Sequence, residues 1–215
     1  MPDRLRHFIV IGIGYMLGAG VFSRLPQQIP PSWTGSDHYT VWLGRPMVAF
    51  LLPTAALVTF ALLRKLGTRH LAEDRSRDFL LSYDAIMFRF VLFLTGVHAT
   101  ILAGLLGLLW GREWAPRIVP VLLGAFLIET GNLLPQTRPN LAIGICTSGT
   151  LSDRALWMRT HRVAGYLVVA LGLVILLAGM AVPAPLGPKM GRLVEPAALF
   201  GVPALVLYSR RKIRA

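Results

Sequence analysis

The feature that most constrains this chain is a series of long apolar runs separated by short polar segments. The runs are His7–Phe22, Met47–Leu63, Ala85–Trp110, Ile118–Leu134, Val163–Val182 and Leu193–Tyr208. A helix needs roughly 17–25 apolar residues to cross a bilayer, so the first and last runs must include flanking residues. The sequence therefore predicts an all-α polytopic membrane protein with about six transmembrane helices.

Charge supports a membrane assignment and predicts an orientation. Only 15% of the 215 residues are charged, whereas a soluble domain of this size carries about 25%. The net charge is +12, and most of the 22 Lys and Arg residues lie in alternate loops and at the two termini. Cytoplasmic segments of membrane proteins are enriched in these residues, which predicts N-in/C-in topology. Because topology accounts for the charge, we expect the lipid bilayer as a partner and no direct contact with nucleic acid.

This orientation divides the chain into two predicted regions. Residues 1–83 form a two-span region with an outer loop at 23–45. Residues 84–215 form a four-span region with an inner loop at 135–162. Within the inner loop, Ser152 is the predicted helix N-cap, and the residues that follow it predict a short amphipathic helix on the membrane surface.

Three ionisable residues lie inside the apolar runs, where burial of charge is costly. Arg89 and Glu129 occur at matching depths near the inner ends of neighbouring spans, which predicts an ion pair between them. His98 lies near the middle of the third span, where it could form an interhelical hydrogen bond or act in a proton relay.

The inner loop concentrates polar, glycine and basic residues between two strongly apolar spans. We predict ligand or partner binding there by Asn132, Arg138, Asn140, Thr150, Trp157 and His161. The alternative is a rigid, capped loop at the membrane surface. The outer loop supplies a second candidate surface at Trp33, Asp37, His38 and Trp42. Two adjacent ligand types, Asp37 and His38, are too few to indicate a metal site, and no cofactor is predicted.

The inner loop resembles the SdpI family of bacterial membrane proteins. The matching residues are Gly131, Asn132, Arg138, Pro139, Asn140, Gly144, Ile145, Thr147, Thr150, Leu151, Ser152, Asp153, Trp157, Thr160, His161 and Gly165. The outer loop resembles the companion N-terminal domain of unknown function often found in that family. Leu25, Pro26, Ile29, Pro30, Trp33, Gly35 and Asp37 carry this second resemblance.

The resemblance implies an immunity protein in the bacterial plasma membrane. In that family, the namesake protects its host against a secreted toxic peptide and signals by holding a small cytoplasmic repressor at the membrane. The chain departs from the family pattern GIRTPWTL, because Cys146, Ser148 and Gly149 replace arginine, proline and tryptophan.

Two other functions are compatible with the residues alone. A small-solute or ion transporter would use Arg89, His98 and Glu129 around a shared wet cavity. A membrane enzyme acting on lipid-linked substrates would bring Asn132, Arg138, Asn140 and His161 into one pocket. The chain lacks the H-E-x-x-H, G-x-S-x-G and P-loop patterns, so an enzyme is the less favoured of these classes.

Overall fold

The computed structural model describes residues 4–29, 43–70, 77–108 and 115–181. Its helices are α1 (Arg4–Val21), α2 (Arg45–His70), α3 (Arg77–Leu105), α4 (Ala115–Leu133), α5 (Ser148–Ser152) and α6 (Arg154–Ala181). Short 3-10 turns, Phe22–Arg24 and Leu134–Gln136, extend α1 and α4. Two-residue strands, β1 (Gln28–Ile29) and β2 (Leu43–Gly44), pair antiparallel at the ends of the outer loop.

The predicted all-α membrane class is confirmed. Five of the described helices are long and apolar enough to cross a membrane, namely α1, α2, α3, α4 and α6. Large apolar side chains on their outer faces remain exposed, including Met16, Tyr166 and Val174. A bilayer solvates such surfaces, whereas water would not. The sixth predicted span, Leu193–Tyr208, lies outside the described residues.

Successive helices run in opposite directions, so the ends of several helices meet at one end of the bundle, which we call the inner end. At this end, Arg6 of α1 pairs with Asp84 of α3. The Tyr83 hydroxyl donates to the Leu63 carbonyl of α2 over 2.5 Å. Ser82 Oγ of α3 contacts Gln136 Oε1, just beyond α4, at 3.3 Å. The positive-inside prediction places this end in the cytoplasm.

Helices α1, α2 and α3 pack around two apolar clusters. The larger cluster contains Ile11, Ala56, Phe60, Tyr83, Met87 and Val91. The smaller cluster lies towards the outer loop and contains Leu25, Val48, Ala49 and Leu102. The predicted boundary between residues 83 and 84 falls within α3, and α3 packs against α1, α2 and α4 without a break at that point.

Helices α4 and α6 pack backbone to backbone through glycines spaced by seven residues. A methyl group at Gly124 would lie 2.6 Å from the Gly172 carbonyl oxygen, and one at Gly165 would lie 2.7 Å from the Gly131 carbonyl oxygen. Small residues allow this approach in membranes, where van der Waals packing and interhelical hydrogen bonds hold helices together. The α4–α6 pair therefore forms a tight base for the loop that joins the two helices.

The start of the fifth span differs from the sequence prediction. Helix α6 begins at Arg154 and continues without interruption to Ala181, so the residues that follow Ser152 form its first turns and not a separate surface helix. The predicted N-cap at Ser152 is wrong. Asp153 Oδ1 accepts from the Ala155 and Leu156 amides, at 2.7 and 3.2 Å, and so caps α6. A carboxylate also interacts favourably with the positive end of the helix dipole, which a serine hydroxyl does less well.

Candidate functional site

The inner loop between α4 and α6 is organised around the Asn140 side chain. Its Oδ1 accepts from the amides of Ala142 and Ile143, at 2.9 and 2.7 Å. Its Nδ2 donates to the carbonyls of Arg138 and Ile143, at 2.7 and 3.1 Å. A carboxamide has two donors and two acceptor lone pairs. The hydrogen-bonding capacity of the buried Asn140 is thus used to fold the loop.

The short helix α5 begins with a reciprocal cap. Thr147 Oγ1 accepts from the Thr150 amide at 3.2 Å, and Thr150 Oγ1 accepts from the Thr147 amide at 2.9 Å. The Thr150 hydroxyl donates in turn to the Ile145 carbonyl at 2.6 Å. Both threonine side chains therefore satisfy amides at the helix start that would otherwise lack partners.

His161 connects α6 to the loop through both ring nitrogens. The Ile145 amide donates to His161 Nε2 over 2.9 Å, and Nδ1 lies 2.9 Å from the Trp157 carbonyl oxygen. An amide can only donate and a carbonyl can only accept, so the proton resides on Nδ1 and the imidazole is neutral. Gly144 has a φ of +119°, and a methyl group there would collide with His161 Nε2. This contact requires glycine at position 144 on both conformational and steric grounds.

Trp157 completes the connection to the end of α4. Its indole stacks on the His161 ring, with centroids 3.8 Å apart and an interplanar angle of 16°. Its Nε1–H donates to the Thr137 carbonyl over 3.1 Å. Trp157 and His161 are both completely buried. Together with Gly144, Ile145 and Thr137 they form what we call the loop clamp.

The structure thus places Asn140, Thr150, Trp157 and His161 at the same loop, where their side chains hydrogen-bond mainly to its backbone. Asn132 is exposed on α4, and Arg138 is half-buried. The predicted enzyme arrangement required Asn132, Arg138, Asn140 and His161 around one pocket. Since Asn140 and His161 bond to neighbouring backbone, the geometry favours the rigid, capped loop over a catalytic site.

The departures from the family pattern are accommodated in the loop. The Cys146 thiol donates to the Asn140 carbonyl over 3.0 Å. Partial burial raises the pKa of this thiol, which keeps it protonated and suited to that bond. Ser148 and Gly149 form the first residues of α5. The loop clamp itself does not include any of these three positions.

The predicted ion pair between Arg89 and Glu129 is confirmed. Arg89 Nη2 and Nε each lie 2.9 Å from Glu129 Oε2. The pair joins α3 to α4 on the lipid-facing side, where the Glu129 side chain is 55% exposed. A guanidinium in a span needs such a partner because an unpaired charge there is costly.

The pair gives a prediction for stability. Glu129→Leu leaves Arg89 unpaired within a span, and we expect the free energy of unfolding to fall by up to about 2.5–3.5 kcal/mol. The double variant R89L/E129L should recover much of that loss, with a coupling energy of about 0.5–3 kcal/mol in a double-mutant cycle. Unfolding in mixed detergent micelles measures both quantities. A double variant as unstable as the single variant would show that the charges do not act as a pair.

His98 lies on the opposite side of α3 from Arg89, because nine residues correspond to two and a half helical turns. It is completely buried and lies against the carbonyls of Val48 and Ala49. Pro53 has no amide hydrogen, so the Ala49 carbonyl lacks its usual donor within α2. Neither ring nitrogen makes a hydrogen bond of standard geometry within the described part of the chain. The three residues of the transporter hypothesis therefore do not meet around one cavity.

A charged cluster at the inner end was not predicted from the sequence. The buried Asp84 carboxylate pairs with Arg6, and its other oxygen lies 3.7 Å from His7 Nε2. The His7 ring stacks on Phe60 with centroids 4.7 Å apart. Asp84 directly precedes the apolar run Ala85–Trp110, but α3 begins seven residues before Asp84. Arg6 and Asp84 lie at matching depths near the inner ends of their helices, which is the same signal that predicts the pair of Arg89 and Glu129.

The outer-loop candidates Trp33, Asp37, His38 and Trp42 lie outside the described residues. Their contribution to binding stays a prediction.

Comparison with known proteins gives a family match that includes the whole loop from residue 136 onwards. The SdpI/YfhL protein family model matches residues 136–209, which begin at the loop and include α6. Across 176 residues, the chain is 24% identical to the immunity protein SdpI of Bacillus subtilis (strain 168), covering 81% of this chain and 80% of that protein. No solved structure matches. In the loop and α6 the chain is therefore similar to the SdpI/YfhL family, and over most of its length it is similar to an SdpI immunity protein.

Proposed function

We propose that this chain is an immunity protein of the bacterial plasma membrane that protects the cell against a membrane-active peptide toxin. Its similarity to an immunity protein extends over four fifths of both chains, and so includes the N-terminal helices as well as the loop. The five described spans are consistent with a function carried out within the bilayer.

The observation that carries the proposal is the integrity of the loop clamp. Trp157, His161 and Gly144 of the clamp are residues of the resemblance, as is the neighbouring Asn140, and each makes a contact that fixes the loop. Residues of the resemblance therefore shape this segment in the chain, although Cys146, Ser148 and Gly149 depart from the family pattern. Residues that set the shape of the loop support a shared class of function more strongly than single exposed residues do.

We further propose that the two loops have different roles. We propose that the outer loop meets the toxin through Trp33, Asp37, His38 and Trp42. The inner loop then reports to the cytoplasm. Its exposed surface includes Leu141 and Met158, at 44% and 42% exposure. A small cytoplasmic repressor is the proposed partner for that surface.

Survival of a sensitive host tests the function directly. We expect expression of the chain to raise the inhibitory concentration of at least one peptide in a panel of membrane-active bacterial toxins. The double variant W33A/W42A should lose this protection while reaching the membrane in the same amount, as measured by immunoblot of the membrane fraction. A wild-type chain that accumulates in the membrane and protects against no toxin in a broad panel would contradict the proposal.

A further inference from the structure

A shallow groove lies between α1 and α2 at the inner end. It has a volume of about 290 Å³ and is lined by Phe8, Leu57, Phe60, Ala61, Arg64 and Lys65. The lining combines an apolar wall with two adjacent cations and contains no acidic residue. Such a pairing fits a ligand that has an apolar portion and a negative charge at one end.

The apolar wall is held in position by the bundle core. Phe60 is buried in the larger apolar cluster, and its ring stacks on His7. Phe8 contacts Phe60 edge to face, with ring centroids 5.5 Å apart, yet Phe8 itself remains 47% exposed. A rigid inner ring and an exposed outer ring provide a fixed apolar surface on the lipid side of the bundle.

The two cations lie where the apolar part of α2 ends. The membrane-crossing stretch of this helix runs from Arg45 to Lys65. From Leu57 to Arg64 the helix rises by about 10 Å, so the apolar wall extends into the bilayer from the level of the charges. Positive-inside topology places Arg64 and Lys65 at the cytoplasmic headgroups.

We propose that this groove binds one anionic diacyl phospholipid of the inner leaflet. Its phosphate lies beside Arg64 and Lys65, and an acyl chain follows Leu57, Phe60 and Phe8. Basic residues near the membrane surface attract anionic lipids, and the apolar wall selects a ligand with a hydrocarbon chain over a free phosphate. The residues that line the site do not belong to the loop clamp.

Lipid retention by the full-length protein in detergent tests the charge requirement. Native mass spectrometry would compare phosphatidylglycerol with phosphatidylcholine carrying the same acyl chains. We expect the wild type to retain phosphatidylglycerol preferentially, and R64Q/K65Q to lose about tenfold or more of that affinity. The control R159Q/R162Q removes two exposed cations from the inner part of α6 and should retain the lipid. Equal retention of both lipids by the wild type, or unchanged binding by R64Q/K65Q, would overturn the proposal.

A second pair of variants tests the apolar wall without changing charge. Ala61→Trp places an indole in the groove and should displace the acyl chain, which lowers retention of phosphatidylglycerol. Val58→Trp adds the same group at an exposed position on α2 that does not line the groove, and binding should persist. Full retention by Ala61→Trp would exclude this groove. Complete competition by inorganic phosphate alone would show a simple anion site and contradict the assignment to a phospholipid.

Discussion

Replacing Gly131 with alanine is expected to lower the free energy of unfolding by about 1–3 kcal/mol, the usual cost of overpacking. The added methyl group would lie 2.9 Å from the Gly165 carbonyl oxygen and 3.0 Å from the Val169 amide nitrogen. These are backbone atoms, so the strain cannot be relieved by rotating a side chain. The two helices would have to separate, which would also disturb the loop clamp. Gly165→Ala should have a similar effect, because its methyl group would meet the Gly131 carbonyl oxygen.

The control for this prediction is the same substitution at Gly20 in α1. A methyl group there has no atom within 4 Å. Gly20→Ala should therefore leave stability unchanged or raise it slightly, because alanine favours helix more than glycine does. Thermal unfolding in detergent, followed by size-exclusion chromatography, compares the variants. If Gly131→Ala and Gly20→Ala unfold at the same temperature, α4 and α6 do not pack as closely as described.

Hydropathy alone predicted the membrane class because lipid exposure leaves a strong signal along the chain. The ends of the helices were less predictable. Hydropathy shows where the apolar residues stop. The backbone hydrogen bonds continue beyond that point, through Asp84 in α3 and through residues 157–160 in α6. Helices in membranes extend into the headgroup region, where water and side chains can satisfy polar groups. The extra turns therefore placed Asp84 inside a helix that the sequence prediction began one residue later.

The sequence predicted which spans pack together only where two oppositely charged residues lie inside spans. Arg89 and Glu129 each need a partner in lipid, and their matching depths sufficed to predict the contact. The glycine repeat of α4 and α6 is equally visible in the sequence, but nothing in it states which helices approach each other. That information depends on the shape of both surfaces, which the structure supplies through Gly124 and Gly172.

The inner loop shows the corresponding limit for the candidate site. The sequence singled out Asn140, Thr150, Trp157 and His161 as candidates for ligand or partner binding at the inner mouth of two spans, and that role stays a prediction. Residue type does not reveal whether a polar side chain bonds to a ligand or to the local backbone. A buried polar atom without a partner is costly, so a folded loop needs polar side chains to hydrogen-bond its own backbone. A binding site needs polar side chains of the same types, so the sequence alone does not distinguish the two roles. The distinction between these roles can be tested at Trp157.

Trp157→Ala should lower the free energy of unfolding by about 3–5 kcal/mol, as expected for loss of a buried tryptophan. Trp157→Phe is the more informative change. A phenyl ring retains most of the stacking on His161 but removes the donor to the Thr137 carbonyl, so we expect a smaller loss of about 1–3 kcal/mol. Thermal unfolding in detergent measures both losses. The neighbouring Met158→Ala, at an exposed position, should change stability by less than about 0.5 kcal/mol.

Protection per molecule then separates a structural role of Trp157 from a binding role. If the loop clamp acts by holding the loop in shape, protection by Trp157→Phe should follow the amount of folded protein in the membrane. Toxin survival, normalised to membrane abundance, should then match that of the wild type. Trp157→Ala should lose protection together with abundance, because the unfolded chain is degraded. A Trp157→Phe protein that is folded and abundant but gives no protection would contradict the structural role. The indole N–H would then be needed for protection itself, as a direct contact to a ligand or partner requires.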